Sequence, residues 1–586
     1  MAVGTRLVAW DKCWHVSACD RSGIPHALMS LPAPPHTSAA AADVRSSPDI
    51  ICLLILGLSW LAAIAVVGPR GEFPINDDWA YAVTVKALVQ DHRLVFSDWI
   101  AANNLTSALW GSLFALVFGY SFETLRLSTL VAGLLGGAAL YGWARQSGAS
   151  PARSLMAAFC LMFNPFYVQL SFSFMTDVPF TAALTIAMAL ITRGALGGHG
   201  GATAGGWAAA LFALLMRQVG MAIPLAHAVA NIVTRRPTWR SMAWAVLPVI
   251  AFVAVQRGYA RFLAETGRMP ELFGTNSELM LQRLAGPLSV TIEGAAAFLL
   301  YLLLYLGLFL GPLTVMFAAP AFRRLGPAIK LRLGAVLLGA TLLVTVTMLA
   351  LGHPMPVWSN TLTESGLGVD GHGPRAPYLM WAALTLVGCL SGWSLLAALI
   401  VHCLRWREWP PAMRWSMLFA GSTALIIAAP IAITPLRFDR YLLPMLPCLI
   451  MLAVMGAGGG GELRRPARAG EVVFWLAMAL TAAFSVLSTR DYMASRRVHD
   501  AAVSALIDQG IPSERIDAGW VLNGYRNFGR FGITRDPETW LLTPDYVVAS
   551  RPAPGYDIIE SRPVQRWLPW AVGRTPILVM RKRSVP

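Results

Sequence analysis

Two adjacent carboxylates stand where an apolar run ends. In "PINDDWAYAVTVKALVQDH" (74–92), Asp77 and Asp78 come directly after a stretch long enough to cross a bilayer. Other charged residues sit in the same kind of place. Asp177 opens a span in "SFSFMTDVPF", Arg217 breaks two short ones in "LLMRQVG", and Arg437, Asp439 and Arg440 head another in "PLRFDRYLLPMLP". Acids and arginines gathered at a lipid boundary suit the transfer of a sugar from a lipid phosphate to a hydroxyl. A carboxylate orients the acceptor and takes its proton, and fixed positive charge stabilises the departing phosphate. The planar guanidinium fork matches phosphate oxygens, which makes arginine the expected cation.

On this reading Asp77 is the base, and Asp78 is its orienting neighbour or a metal ligand. Asp177 is a second polar wall, and Arg217 with Arg440 is the phosphate clamp, with Arg437 and Asp439 beside it. Tyr81, one helical turn after Asp77, faces the same cavity. The acid pair permits a divalent cation without requiring one. His353, Asp370 and His372 lie in a later outer loop, where contact with substrate competes with plain loop polarity. Each residue also has an ordinary reading. Asn76 is able to cap a helix beginning at Asp77, Thr176 to cap one beginning at Asp177, and both arginines to anchor at the interface.

The elements that must carry these residues are membrane helices. The chain has 586 residues, 56% hydrophobic and 13% charged, and its mean hydropathy of +0.57 excludes an ordinary soluble domain. Recurrent apolar runs of bilayer length are helices, since barrel strands are shorter and alternate. Spans are expected near 50–68, 123–144, 153–171, 177–194, 203–216, 218–234, 241–257, 286–319, 332–351, 377–403, 414–434, 440–457 and 471–488, thirteen in all. The apolar stretch 105–119 is read as an interfacial helix, because counting it as a crossing reverses every later basic loop. The net charge of +15 is then a topology signal, with no nucleic acid implied. Arg-rich loops at 144–153, 235–240, 323–332, 402–414 and 462–471 fall in the cytoplasm, and the charged candidates all fall outside.

Three regions follow. Residues 1–49 form a disordered cytoplasmic tail. Residues 50–488 form the transmembrane domain, whose first outer loop, 69–122, carries the acid pair. Residues 489–586 form a small periplasmic α/β domain. Within the last, "VHDAAVSALIDQGI" has helical spacing, whereas "AGWVLNGY", "DYVVAS" and "PILVMRKR" read as short strands. The run "GAGGGG" (456–461) matches a dinucleotide-loop pattern but follows a membrane helix, so it is a linker.

The acid pair, the interfacial helix, "GYSFETLRLST" (119–129), "NPFYVQLSFSFMTDVPF" (164–180) and "RFDRYLLPMLP" (437–447) together resemble the GT-C superfamily of integral-membrane glycosyltransferases. Within it the chain is most similar to the branch of protein O-mannosyltransferases and lipid A aminoarabinose transferases. The resemblance implies an all-α polytopic fold, a catalytic carboxylate at Asp77 or Asp78, and a second acid, Asp177, facing the same cavity. It also implies a polyprenyl-phosphate sugar donor held by Arg217 and the Arg437–Arg440 cluster. In place of the branch's Lys-Pro-Pro or His-Pro-Pro element stands "AANNLTSALW" (101–110). The expected protein is an inverting transferase of a bacterial inner membrane with its N-terminus cytoplasmic and its C-terminus periplasmic. Its acceptor is a hydroxyl on a lipid, glycan or protein. A transporter or flippase of lipid-linked saccharides, or a scaffold of the same fold, are the competing classes.

Overall fold

The computed structural model describes residues 47–323, 325–355, 357–358, 360–368, 374–458, 468–528 and 544–583. Most of the expected N-terminal tail, the loop residues Asp370 and His372, and the glycine-rich run from 459 onward lie outside these.

Every expected span falls on helical residues, but ten of the described helices, or eleven with one bent pair counted as a span, are long and apolar enough to cross a membrane, where thirteen crossings were expected. Expected span 153–171 is a bent pair, Pro151–Met162 and Pro165–Ser171, that turns by 63°. The break has a local cause. Asn164 leaves the helix, its side chain accepts from the backbone N–H of Phe166 and Tyr167, and Pro165 starts the next turn. Two more expected spans are shorter apolar helices, Gly200–Met216 and Gln218–Thr234, parted at Arg217. The expected span 286–319 divides at Leu310 into Leu288–Phe309 and Gly311–Arg323.

The apolar stretch after the acid pair is the helix Leu105–Phe118. Fourteen residues at about 1.5 Å each fall short of a hydrocarbon core of about 30 Å. One face packs inward through Ala108, Gly111 and Ala115, while Leu113, Leu116 and Val117 are exposed on the other.

The last span does not stop at residue 488. Helix Arg468–Asp508 runs 41 residues without a break into the C-terminal region. There a four-stranded sheet is ordered Ile516–Asp517, Tyr546–Ala549, Ile577–Lys582, Tyr556–Arg562. The first pair is parallel and the others antiparallel. Ala502, Val503 and Leu506 of the long helix pack on Val548, Ile577 and Val579 of the sheet. The segment "AGWVLNGY", read as a strand, is instead the helix Gly519–Asn527. Its apolar residues Val521, Leu522, Tyr525 and Phe528 recur at helical spacing, and Asp517 ties the entry by accepting from Gly519 N and Asn523 Nδ2.

Candidate active site

The two adjacent acids have separate surroundings. Asp78 begins the helix Asp78–Gln90 and is fully buried. One carboxylate oxygen accepts from Ile75 N at 2.7 Å and the other from Phe174 N at 3.1 Å. Burial pushes its pKa up to about 7, with nearby Arg126 and the two amides opposing the rise. Asp77, at the cap position, makes no capping bond, and Asn76 takes a left-handed φ of 59°, so the capping reading fails. Instead Asp77 Oδ1 accepts from the indole N–H of Trp99 at 2.9 Å, and Oδ2 lies 3.4 Å from Arg440 Nη2. Its side chain is 17% exposed, which leaves an approach that Asp78 lacks.

Beside this pair is a cavity of about 370 Å³ whose polar wall includes Tyr81, Asp177, Arg217, Gln218, Arg440 and Tyr441. Three of the expected site residues therefore join Tyr81 in one hollow, and Arg440 links it to Asp77. Asp177 is fully buried at the start of its helix and pairs with Arg217 at 2.6 Å. Its other oxygen has no hydrogen-bond partner among the described residues. Thr176 makes no capping bond, so the acid's role here is the ion pair. The Arg440 guanidinium lies 5.0 Å from the Phe438 ring and 5.8 Å from Tyr441, which Arg217 also approaches at 5.5 Å. Arg440 Nε and Nη1 have no hydrogen-bond partner among the described residues. Burial and then the Asp77 charge push the Tyr81 hydroxyl up to about 12, so it stays a neutral donor.

Other expected residues lie elsewhere. Asp439 is fully buried, and its carboxylate accepts from the backbone N–H of Thr361, Leu362 and Arg440 at 2.7–3.1 Å. It anchors the later loop and does not line the cavity. Arg437 donates to the carbonyls of Thr434 and Ala432 and meets Arg283 over the bare Cα of Gly294. His353 follows the helix Pro327–Ala350, is exposed, and lines no described cavity. The divalent cation allowed by the acid pair does not fit these contacts. Both Asp78 oxygens face backbone amides, both Asp77 oxygens face Trp99 and Arg440, and no group of three metal-binding side chains occurs among the described residues.

Sequence reasoning missed Trp99, Tyr441 and Arg126. Arg126 is fully buried in "GYSFETLRLST", donating to the carbonyls of Pro69, Gly71 and Phe73. It fastens the segment ahead of the acid pair, and a lone arginine within an apolar helix was the available signal. The residues "NN" also hold the loop. Asn103 Nδ2 donates to Leu214 O and Gln256 Oε1, and Asn104 N to Met216 O.

Residues 106–257 match the family model for dolichyl-phosphate-mannose-protein mannosyltransferases. No curated protein sequence matches the chain. Among solved structures, ArnT from Cupriavidus metallidurans bound to undecaprenyl phosphate is 15% identical, with 91% of this chain and 97% of that one covered at a TM-score of 0.42. AglB from Archaeoglobus fulgidus, an archaeal oligosaccharyltransferase in complex with an inhibitory peptide and a dolichol-phosphate, is 14% identical, covering 79% and 58% at 0.41. The S. cerevisiae protein O-mannosyltransferase Pmt1–Pmt2 complex bound to the sugar donor is 14% identical, covering 39% and 35% at 0.30. With ten described helices long and apolar enough to cross a membrane, the chain is a multi-pass membrane protein, and its residues 106–257 are similar to a family of glycosyltransferases.

Proposed function

We propose that the protein transfers a sugar from a polyprenyl-phosphate donor to a hydroxyl acceptor at the periplasmic face of a bacterial inner membrane, with inversion at the anomeric carbon. The carrying observation is one cavity whose wall holds Arg217 and Arg440, with the reachable carboxylate of Asp77 bonded to Arg440. The acceptor oxygen attacks the anomeric carbon from the side opposite the phosphate. The bond from that carbon to the phosphate oxygen breaks, its electrons leave with the polyprenyl phosphate, and Asp77 takes the acceptor proton. Arg440 meets the leaving phosphate with the buried N–H groups of Nε and Nη1, which have no hydrogen-bond partner among the described residues. Arg217 is held by Asp177 and adds the second positive charge. Asp177 keeps one oxygen to orient a sugar or acceptor hydroxyl, and Tyr81 donates a hydrogen bond alongside.

Arg437, with Arg283 beside it at Gly294, adds positive charge outside the cavity wall and is given no contact with the phosphate. Asp439 and His353 are given no chemical step; Asp439 holds the loop that borders the site. The acceptor is a lipid, glycan or protein hydroxyl.

The test is release of undecaprenyl phosphate from undecaprenyl-phosphate sugars by purified protein, alongside mass spectrometry of envelope lipids and glycans with and without the gene. A one-sugar mass difference, lost with Asp77→Asn, is expected. Full activity of Asp77→Asn removes the proposal, and movement of donor across vesicles without bond cleavage would favour a flippase.

A further inference from the structure

Asp77 is gripped from two directions, and one of them leads to the C-terminal region. The indole N–H of Trp99 reaches Asp77 Oδ1 at 2.9 Å, while Arg440 stands 3.4 Å from the other oxygen. Trp99 sits on the tight turn Ser97–Ile100 of the outer loop, closed by Ile100 N donating to Ser97 O at 3.1 Å. Its ring is stacked on Trp79 at 6.3 Å, and two further rings come from the far end of the chain. Trp520 approaches at 6.2 Å, and Phe528 meets it edge-on at 5.7 Å. Phe528 also touches Trp79 at 5.3 Å, and Tyr525 packs on Phe122 at 5.4 Å. Helix Gly519–Asn527 is in turn tied to the long helix by Arg526 and Asp500, 3.5 Å apart.

We propose that Trp99 is a positioning residue for the base, and that helix Gly519–Asn527 of the C-terminal region fixes Trp99. The inference rests on the reading of Asp77 as base. An indole N–H only donates and its ring turns about two bonds, so a clamped tryptophan fixes one carboxylate oxygen in direction and distance. Arg440 does not serve this purpose through a reaction cycle, because the same guanidinium is the one offered to the leaving phosphate. When Arg440 turns to that phosphate, Trp99 remains to hold the carboxylate toward the acceptor. The C-terminal region then acts on the rate without touching substrate.

A small misplacement of a catalytic group costs up to about 100-fold in rate. Trp99→Phe keeps the ring stack and loses the donor, and is expected to lower kcat about 10- to 100-fold while KM for the donor stays within about twofold. Trp520→Ala loosens the clamp, with an expected loss of about 3- to 10-fold. Because Trp520 acts through Trp99, the double variant should be no slower than Trp99→Phe alone. The substrates are undecaprenyl phosphate carrying mannose, glucose or aminoarabinose, in detergent micelles. A reading independent of turnover is the Trp99 indole N–H resonance, identified by its loss in Trp99→Phe. It is expected to shift in both Asp77→Asn and Trp520→Ala. Inactive Asp77→Asn with wild-type kcat in Trp99→Phe overturns the positioning role alone. Active Asp77→Asn overturns the base assignment beneath it. An unmoved indole resonance in Asp77→Asn, a KM rise matching the kcat loss, or multiplicative losses in the double variant each refute the coupling.

Discussion

Arg440→Gln removes the guanidinium that joins Asp77 to the cavity, and its consequence can be sized from the contacts. The side chain is 6% exposed, lies over the rings of Phe438 and Tyr441, and touches Asp77 only at 3.4 Å. Its Nε and Nη1 have no hydrogen-bond partner among the described residues, so two charge-assisted bonds are on offer to a phosphate. At roughly 1.5–3 kcal/mol each, two such bonds give about 3–6 kcal/mol, and the lower bound alone is over 100-fold. The fold should survive, because Asp77 keeps its bond from Trp99 and the Asp177–Arg217 pair is untouched. Arg440→Lys keeps the charge but not the fork, and about a tenfold loss is expected. The assay is undecaprenyl phosphate affinity in micelles together with kcat/KM on the undecaprenyl-phosphate sugars. If Arg440→Gln binds undecaprenyl phosphate within twofold of wild type and turns over normally, the clamp is elsewhere.

Arg217→Met strands the fully buried Asp177, and a loss of about 3–5 kcal/mol in stability is expected by denaturation in micelles, with Arg217→Met/Asp177→Leu recovering much of it. Asp78 titrates near 7 in the folded protein against 3.8 for the free group, so the folded state binds more protons between these values. Stability should therefore fall as pH rises through that window, by at most about 1.4 kcal/mol per pH unit, and level off above it. Asp78→Asn should flatten that slope while destabilising at every pH, since an amide NH2 must face the N–H of either Ile75 or Phe174. Gly307→Ala would drive a methyl into the carbonyl of Gly388 where two helices cross, and an altered thermal midpoint of several degrees is expected, with no change at Gly334→Ala, where space is open.

The helices were legible because lipid demands long apolar runs, and every expected span falls on helical residues, although ten or eleven rather than thirteen are long and apolar enough to cross. Their internal breaks were less so. The bend at Asn164 and the division at Leu310 depend on side-chain bonds and packing, and apolarity continues through both. Asp177, Arg217 and Arg440 could be gathered from their residue types because charge beside lipid is costly without a partner. Trp99 carried no such mark: a tryptophan in an outer loop is ordinary, and only its direction makes it a partner of Asp77. The helix at Gly519 was hidden by its short length and by flanking glycines, which hydropathy over so few residues reads as a strand with turns.

The adjacency of Asp77 and Asp78 follows from what each must face. Successive residues at a helix start point in different directions, so the two carboxylates meet different surroundings. Asp78 takes the inward direction and binds Phe174 N, three residues ahead of Asp177. That bond joins the start of helix Asp78–Gln90 to the segment from which Asp177 projects. The buried acid therefore bears on the spacing between Asp77 and Asp177, and through Arg217 and Arg440 on that of the proposed base and cations as well. A carboxylate is suited to this because it accepts from two backbone amides on separate segments at once. One neutral acceptor at position 78 would leave one segment unfastened. Loss of Asp78 should consequently lower turnover even where Asp77, Asp177 and both arginines are intact, and restoring the fold with bound lipid phosphate should not restore the rate.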